Sequence, residues 1–309
     1  MAGAFITGCA GPTLSREESA FFAEADPFGF ILFARNIDSP EQIRALTEAL
    51  KASVGRDAPV LIDQEGGRVA RLQPPVWSGW GPAIDETDFA GRYTTISAEL
   101  LDLGITSNCV PLADIARPET HEILANRCYG SDLDTVVRNA RAVAEATGRA
   151  GVWPVLKHIP GHGRGDLDSH LELPRVSTPL PELEATDFAA FKALNDLPFG
   201  MTAHIVYDAL DAERPATCSS TVISYIREKI GFEGCLMTDD ISMEALSGEI
   251  SDRSRLALAA GCDLVLHCNG DLAEMRAVAE VAGPLAGAAK RRADKALAWR
   301  AEQGEPVNG

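Results

Sequence analysis

The chain has little that would tie it to nucleic acid, to a membrane or to an oxidising compartment. Lys and Arg number 28 against 45 Asp and Glu, a formal net charge of -17. Such an excess offers no basic face to replace the counterions of a polynucleotide or to dock on anionic lipid. No stretch approaches the roughly 20 uninterrupted apolar residues of a membrane helix. The seven cysteines (Cys9, Cys109, Cys128, Cys218, Cys235, Cys262, Cys268) are an odd count spread along the chain, with no CxxC pair and no dense spacing. That pattern excludes a disulfide framework and gives no zinc signature. Five lie within or beside apolar runs, where Cys behaves as a small core residue, and a cytoplasmic location is the simplest expectation. Ile6-Thr7-Gly8-Cys9 has the outline of a lipoprotein cleavage site, but no Lys or Arg and almost no apolar region precede it, so lipidation is not expected.

Linkers and low-complexity tracts are missing too. With 309 residues, 46% of them hydrophobic, the chain can bury a sizeable core, and residues 1–309 read as one domain. What it does have is an alternation. Short apolar runs recur at 5–8, 28–34, 59–63, 105–114, 152–158, 198–205, 235–240 and 262–268. Helical spacing and capping signals separate them. Ser39-Pro40-Glu41 opens one helix with Ile43, Leu46 and Leu50 as its stripe, Ser219-Ser220 opens another, and Gly261 closes a third. Apolar runs alternating with helices predict parallel strands covered on both faces, and eight such runs are the number that closes a (β/α)8 TIM barrel. The runs at 5–8 and 105–114 are the weakest, one short and one carrying polar residues. An open doubly wound sheet is the alternative, against which no GxGxxG follows the first strand.

Polar residues collect where such a barrel keeps its chemistry. Arg35-Asn36, Asp63-Gln64-Glu65, Asp114, Lys157-His158, His204, Asp239-Asp240 and His267 all end apolar runs, and barrel enzymes react at the C-terminal ends of their strands. The densest segment, 157–170, holds three of the six histidines among glycines and a proline. Asp168 and His170 share a face of an extended backbone, and a carboxylate beside an imidazole makes a proton donor and acceptor near neutral pH, although spacing alone fits a surface Asp–His pair better. Of the adjacent acids Asp239 and Asp240, alternation lets one point into the mouth while the other caps a helix or binds a neighbour. Lys157 reads better as a cationic clamp than as a Schiff-base former. Arg71, Arg127, Lys157 and Arg164 together suggest an anionic or polyhydroxylated ligand. A metal site from His158, His162, His170 and Asp239 is conceivable, though no HExxH or HxH pair is present.

In order, DQEGGRVAR, NRCYGSD, KHIPGHGRGDLDSH, MTAHIVYDALD, LMTDDISMEA and AGCDLVLHCN resemble glycoside hydrolase family 3, and within it the single-domain β-N-acetylhexosaminidases of bacterial peptidoglycan recycling. The resemblance runs from about Gly29 to Asn269, and the KH-x-PGHG stretch followed by D-x-H carries most of its specificity. It implies an exo-enzyme removing β-linked N-acetylglucosamine from a small carbohydrate partner whose acceptor side is 1,6-anhydro-N-acetylmuramic acid, with or without peptide. Neither metal nor organic cofactor is implied. By the same resemblance Asp239 is the nucleophile, His170 the general acid/base and Asp168 its dyad partner. Asp63, Arg71, Arg127, Lys157 and His158 match positions that hold the terminal sugar. Trp77-Ser78-Gly79-Trp80 departs from the family pattern and is expected to fill space beneath its loop. The tail from about Ala286 reads as a basic helix. Competing readings are a broader β-glycosidase or a phosphorylase with the same dyad, a metal-dependent barrel hydrolase, and a non-catalytic sugar-binding barrel.

Overall fold

The computed structural model describes residues 1–165, 167 and 172–302. Eight parallel strands close a barrel: β1 Gly3–Thr7, β2 Pro27–Leu32, β3 Val60–Ile62, β4 Ser107–Asn108, β5 Trp153–Ile159, β6 Phe199–Thr202, β7 Cys235–Asp240 and β8 Leu264–His267. Each neighbours the next around the ring, and β8 returns to pair with β1 through Phe5↔Val265 and Thr7↔His267. The eight apolar runs are these eight strands, so the expected TIM barrel is the observed fold. The run at 105–114 yields only a two-residue ladder. Its continuation meets Pro111, which has no N–H to donate.

Local chemistry sets the helices between strands. Ser39 accepts from the Gln42 amide, Pro40 takes the first turn of helix Pro40–Val54, and Gly55 ends it in the left-handed region. Ser219 caps Ser220–Tyr225 and Gly261 closes Ile250–Ala260, as their spacing predicts.

Two apolar layers result. Helix stripes such as Ile43, Leu46 and Leu50 pack on outward strand residues. Inward residues including Ile6, Phe28, Ile31, Leu61, Val155, Phe199 and Met237 fill the barrel, each full burial contributing roughly 1.5–3 kcal/mol. The C-terminal helix Gly287–Glu302 has a structural task its basic composition did not announce. Ala293 and Ala296 join the barrel-interior cluster, and Arg292 pairs with buried Asp263, which leads into β8. The helix therefore floors the barrel end opposite the strand C-termini. All seven cysteines are buried and unbridged.

Candidate active site

The C-terminal strand ends surround one pocket. Asp63, Arg71, Arg127, Lys157, His158 and Asp239 all line it, with Phe33, Met201, Leu266 and Cys268 as apolar wall. It encloses about 270 Å³, under the roughly 300 Å³ at the lower end for drug-sized ligands, so it has room for one sugar ring rather than a chain. Asp168 and His170 lie outside the described residues.

Bulges aim the strand-borne groups. The β5 ladder slips against β6 between Leu156 and Ile159, and consecutive Lys157 and His158 both line the pocket. The β7 ladder slips against β8 between Met237 and Asp240. Such irregularities re-aim side chains at barrel rims. Asp239 Oδ1 accepts the Asp240 backbone N–H at 2.8 Å. Asp240 accepts from the Ser242 hydroxyl at 2.8 Å, and from the Ser242 and Cys268 amides at 3.0 and 3.1 Å. The second acid therefore ties loops together beside the first. Buried His204 donates from Nε2 to the Asp240 carbonyl at 3.0 Å, and burial lowers its pKa, so it acts as a neutral strut.

The cations are locked to carboxylates. Lys157 Nζ lies 2.8 Å from Asp63 Oδ1 and 2.7 Å from Glu65 Oε1. Arg127 grips Glu65 through Nε at 2.9 Å and Nη2 at 2.8 Å, the bidentate geometry that favours arginine. Arg71 Nη2 reaches Asp63 at 3.3 Å. Burial would push the Asp63 carboxyl up, but Lys157, Arg71 and Arg127 hold it below the usual carboxylate range. Burial opposes ionisation of Glu65 as well, and Arg127 and Lys157 pull its pKa down to about 2. Burial would lower the Lys157 pKa, but Asp63 and Glu65 raise it, so the group stays an ammonium. That fits a clamp and not a Schiff-base amine.

His158 is oriented by a partner 44 residues away. Its Nδ1 lies 2.8 Å from Asp114 Oδ2, a carboxylate that can only accept, which makes Nδ1 the donor and fixes the ring's orientation. Asp114 also accepts the His162 amide at 2.6 Å. Burial, and then His158, bring the His162 pKa to about 4.

The structure does not bring Arg164 to the pocket. It bonds Asp187 at 2.7 Å and Glu182 at 2.8 Å, partners too distant in sequence for local reading to supply. His267 likewise pairs with Glu274 at 2.9 Å and does not line the cavity. Trp77 and Trp80 pack against the core beneath their loop. Sequence reasoning missed His121, a pocket wall residue whose Nδ1 accepts the Ile123 amide at 3.3 Å; it sits in a loop without any motif. Among the described residues no three His, Cys, Asp or Glu converge as metal ligands.

A barrel with a sugar-sized pocket at its strand C-termini, walled by paired carboxylates and cations, defines a carbohydrate-processing enzyme. Residues 11–297 match the glycosyl hydrolase family 3 N-terminal domain. The chain belongs to that family, is a glycoside hydrolase, and groups with its bacterial β-hexosaminidases. It is 36% identical over 283 residues to the β-hexosaminidase of Alkalilimnicola ehrlichii, spanning 86% of this chain and 81% of that one. With the β-hexosaminidase of Bordetella pertussis it shares 33% over 288 residues, 88% of this chain and 82% of the relative. NagZ from Neisseria gonorrhoeae superposes with a TM-score of 0.81 at 28% identity, covering 99% of this chain and 98% of that one.

Proposed function

We propose that the chain is a retaining exo-β-N-acetylglucosaminidase that acts on peptidoglycan fragments, GlcNAc-1,6-anhydroMurNAc with or without peptide. The observation that carries this reading is the placement of Asp239 in a one-ring pocket with Asp63, Arg71, Arg127, Lys157 and His158. A ring-sized pocket favours removal of a terminal sugar over attack within a chain. The Neisseria gonorrhoeae NagZ has been solved with N-trifluoroacetyl-D-glucosamine, which supports an N-acylated glucosamine as the occupant.

In this reading Asp239 attacks the anomeric carbon while protonated His170, steadied by Asp168, gives its proton to the leaving oxygen. Water then opens the glycosyl-enzyme with neutral His170 as base, so configuration is retained. Asp63, Arg71, Arg127, Lys157 and His158 hold the ring hydroxyls. No metal or organic cofactor takes part. Cytoplasmic recycling of cell-wall fragments fits this substrate. No helix among the described residues is long and apolar enough to cross a membrane.

The test is hydrolysis of a chromogenic N-acetyl-β-glucosaminide beside its β-glucoside, with EDTA present, by wild type, Asp239→Ala and His170→Ala. The reading expects chelator-resistant cleavage of the N-acetyl substrate, lost in Asp239→Ala. His170→Ala should keep more activity on the activated phenol than on GlcNAc-1,6-anhydroMurNAc, and the first-formed sugar should be the β-anomer. Chelator-sensitive turnover, or a folded wild type that cleaves neither glycoside, sinks it.

A further inference from the structure

Glu65 does not line the pocket, and its side chain is only 2% exposed. Its two oxygens nevertheless hold two of the cations that do. We propose that Glu65 is a positioning residue for the glycoside-hydrolase reaction: from behind the pocket wall it fixes Arg127 and Lys157 so that each presents its remaining donors to the sugar. This rests on the reading above that those two residues hold the ring.

Donor arithmetic makes the case. A guanidinium carries five N–H donors and an ammonium three. Glu65 takes the Nε and Nη2 edge of Arg127 at 2.9 and 2.8 Å, which leaves the Nη1 end for a ligand in the pocket that Arg127 lines. On Lys157, Glu65 Oε1 at 2.7 Å and Asp63 Oδ1 at 2.8 Å commit two of the three donors, which leaves one. Without Glu65, Arg127 loses both of its carboxylate bonds and Lys157 keeps only Asp63, and a planar fork or a point charge that shifts by an ångström loses its hydroxyl.

Glu65 is itself held firmly. It sits in the short strand Gln64–Gly66, and its carbonyl accepts from Arg92 Nη2 at 2.5 Å and from the Tyr93 hydroxyl at 3.1 Å, both on helix Phe89–Asp102. Gln64 beside it spans the hairpin to Arg71 and Leu72 and exchanges hydrogen bonds with Asn108 of β4. Position thus passes from a rigid helix and strand, through one carboxylate, to two cations and the ligand. Stability alone is a weak reason for this arrangement, because a buried ion pair is often no better than well-packed apolar residues of similar volume.

The experiment measures KM and kcat separately for the chromogenic N-acetyl-β-glucosaminide at neutral pH, with Tm beside them, in wild type, Glu65→Gln, Glu65→Asp and Lys157→Met. Glu65→Gln should raise KM roughly 10–100-fold, as loss of a well-placed charge-assisted hydrogen bond to the sugar does, with a smaller fall in kcat. Glu65→Asp keeps the charge on a shorter side chain and should recover part of the KM. A purely structural role would lower Tm and the active fraction, and so kcat, without raising KM. If Glu65→Gln does not fold, Glu65→Asp decides: a KM raised several-fold at near wild-type kcat supports the inference, because the shorter side chain cannot reach both cations at once, and a wild-type KM overturns it. Lys157→Met separates the two levels of the reasoning. Wild-type KM there removes the sugar-subsite reading and this inference with it. A raised KM there beside wild-type KM in Glu65→Gln overturns this inference alone.

Discussion

His162 offers a measurement of how dry the pocket wall is. The ring is 6% exposed, at the start of the glycine-rich loop, and its plane meets that of His158 edge-on with centroids 5.6 Å apart. Burial is the main cause, with the neighbouring His158 second, that brings its pKa from the ordinary 6.5 to about 4 against the pull of Asp114. Above pH 6.5 the ring is neutral folded or unfolded, and its titration contributes nothing. As pH falls from there toward 4, the unfolded chain takes up a proton that the folded chain refuses. Folding then weakens by about 1.4 kcal/mol per pH unit, or about 3 kcal/mol across the window.

The perturbation is His162→Gln, which removes the titrating ring and keeps a polar side chain with its backbone N–H still on Asp114. Unfolding free energies from urea titration at a series of pH values between about 7 and 4 should show wild type losing about 3 kcal/mol more than the variant over that range. Buried His204 titrates in the same direction in both proteins and cancels in the comparison. Parallel curves would refute the reasoning, because they would mean that water reaches His162 and that the ring protonates in the fold as readily as out of it.

Three further outcomes follow from particular contacts. Asp114→Asn should lower kcat/KM roughly 10–100-fold, mainly through KM, because a charge-assisted hydrogen bond of about 1.5–3 kcal/mol no longer fixes the His158 tautomer; unchanged KM would show that His158 needs no such orientation. Gly66 has φ 104, and a Cβ there would lie 1.8 Å from Arg92 Nη2, so Gly66→Ala should destabilise by at least about 1–3 kcal/mol, read as a drop in Tm, and a wild-type Tm would contradict the hairpin geometry. All seven cysteines are buried, and burial raises thiol pKa values, to about 12 for Cys9 and about 11 for Cys218, so an aromatic disulfide reagent should find almost no reactive thiol in the native enzyme and seven after denaturation. A fast native thiol would place at least one cysteine in contact with solvent.

Much of this was legible before any coordinates. Eight apolar runs gave the barrel because a strand buried on both faces must be apolar throughout, and Ser39, Ser219 and Gly261 marked helix ends because a free backbone N–H or a left-handed turn restricts residue choice. The residues that line the pocket were legible for another reason: DQEGGRVAR, the KH pair and TDD are contiguous segments at strand ends. What the sequence hid lies across long separations. Asp114 meets His158 over 44 residues and Arg164 meets Asp187 over 23, and neither pairing leaves a local trace. The short ladder at β4 was not legible, because a run of apolar residues says nothing about which amides can donate, and Pro111 has none. His121 could not have been found by pattern, because only the folded course of its loop brings it to the pocket.

The same pairings change what the pocket's cations say about its ligand. Read along the chain, Arg71, Arg127 and Lys157 suggested an anion as readily as a sugar. In the fold, Asp63 and Glu65 neutralise two of the three, and Asp239 lines the same cavity. Three cations thus stand among four carboxylates, Asp63, Glu65, Asp239 and Asp240, and an anion entering there would shed its water without gaining net positive charge in return. A neutral polyhydroxylated ring meets no such penalty, because its hydroxyls donate to the carboxylates and accept from the cations' spare N–H groups. The balance also suits the glycosyl transition state of the proposed reaction, whose positive charge would develop at the ring beside Asp239. A surplus of uncompensated cations in that wall would raise the barrier that the proposed nucleophile lowers, and a chain rich in acid can for that reason still build such a site from arginine and lysine.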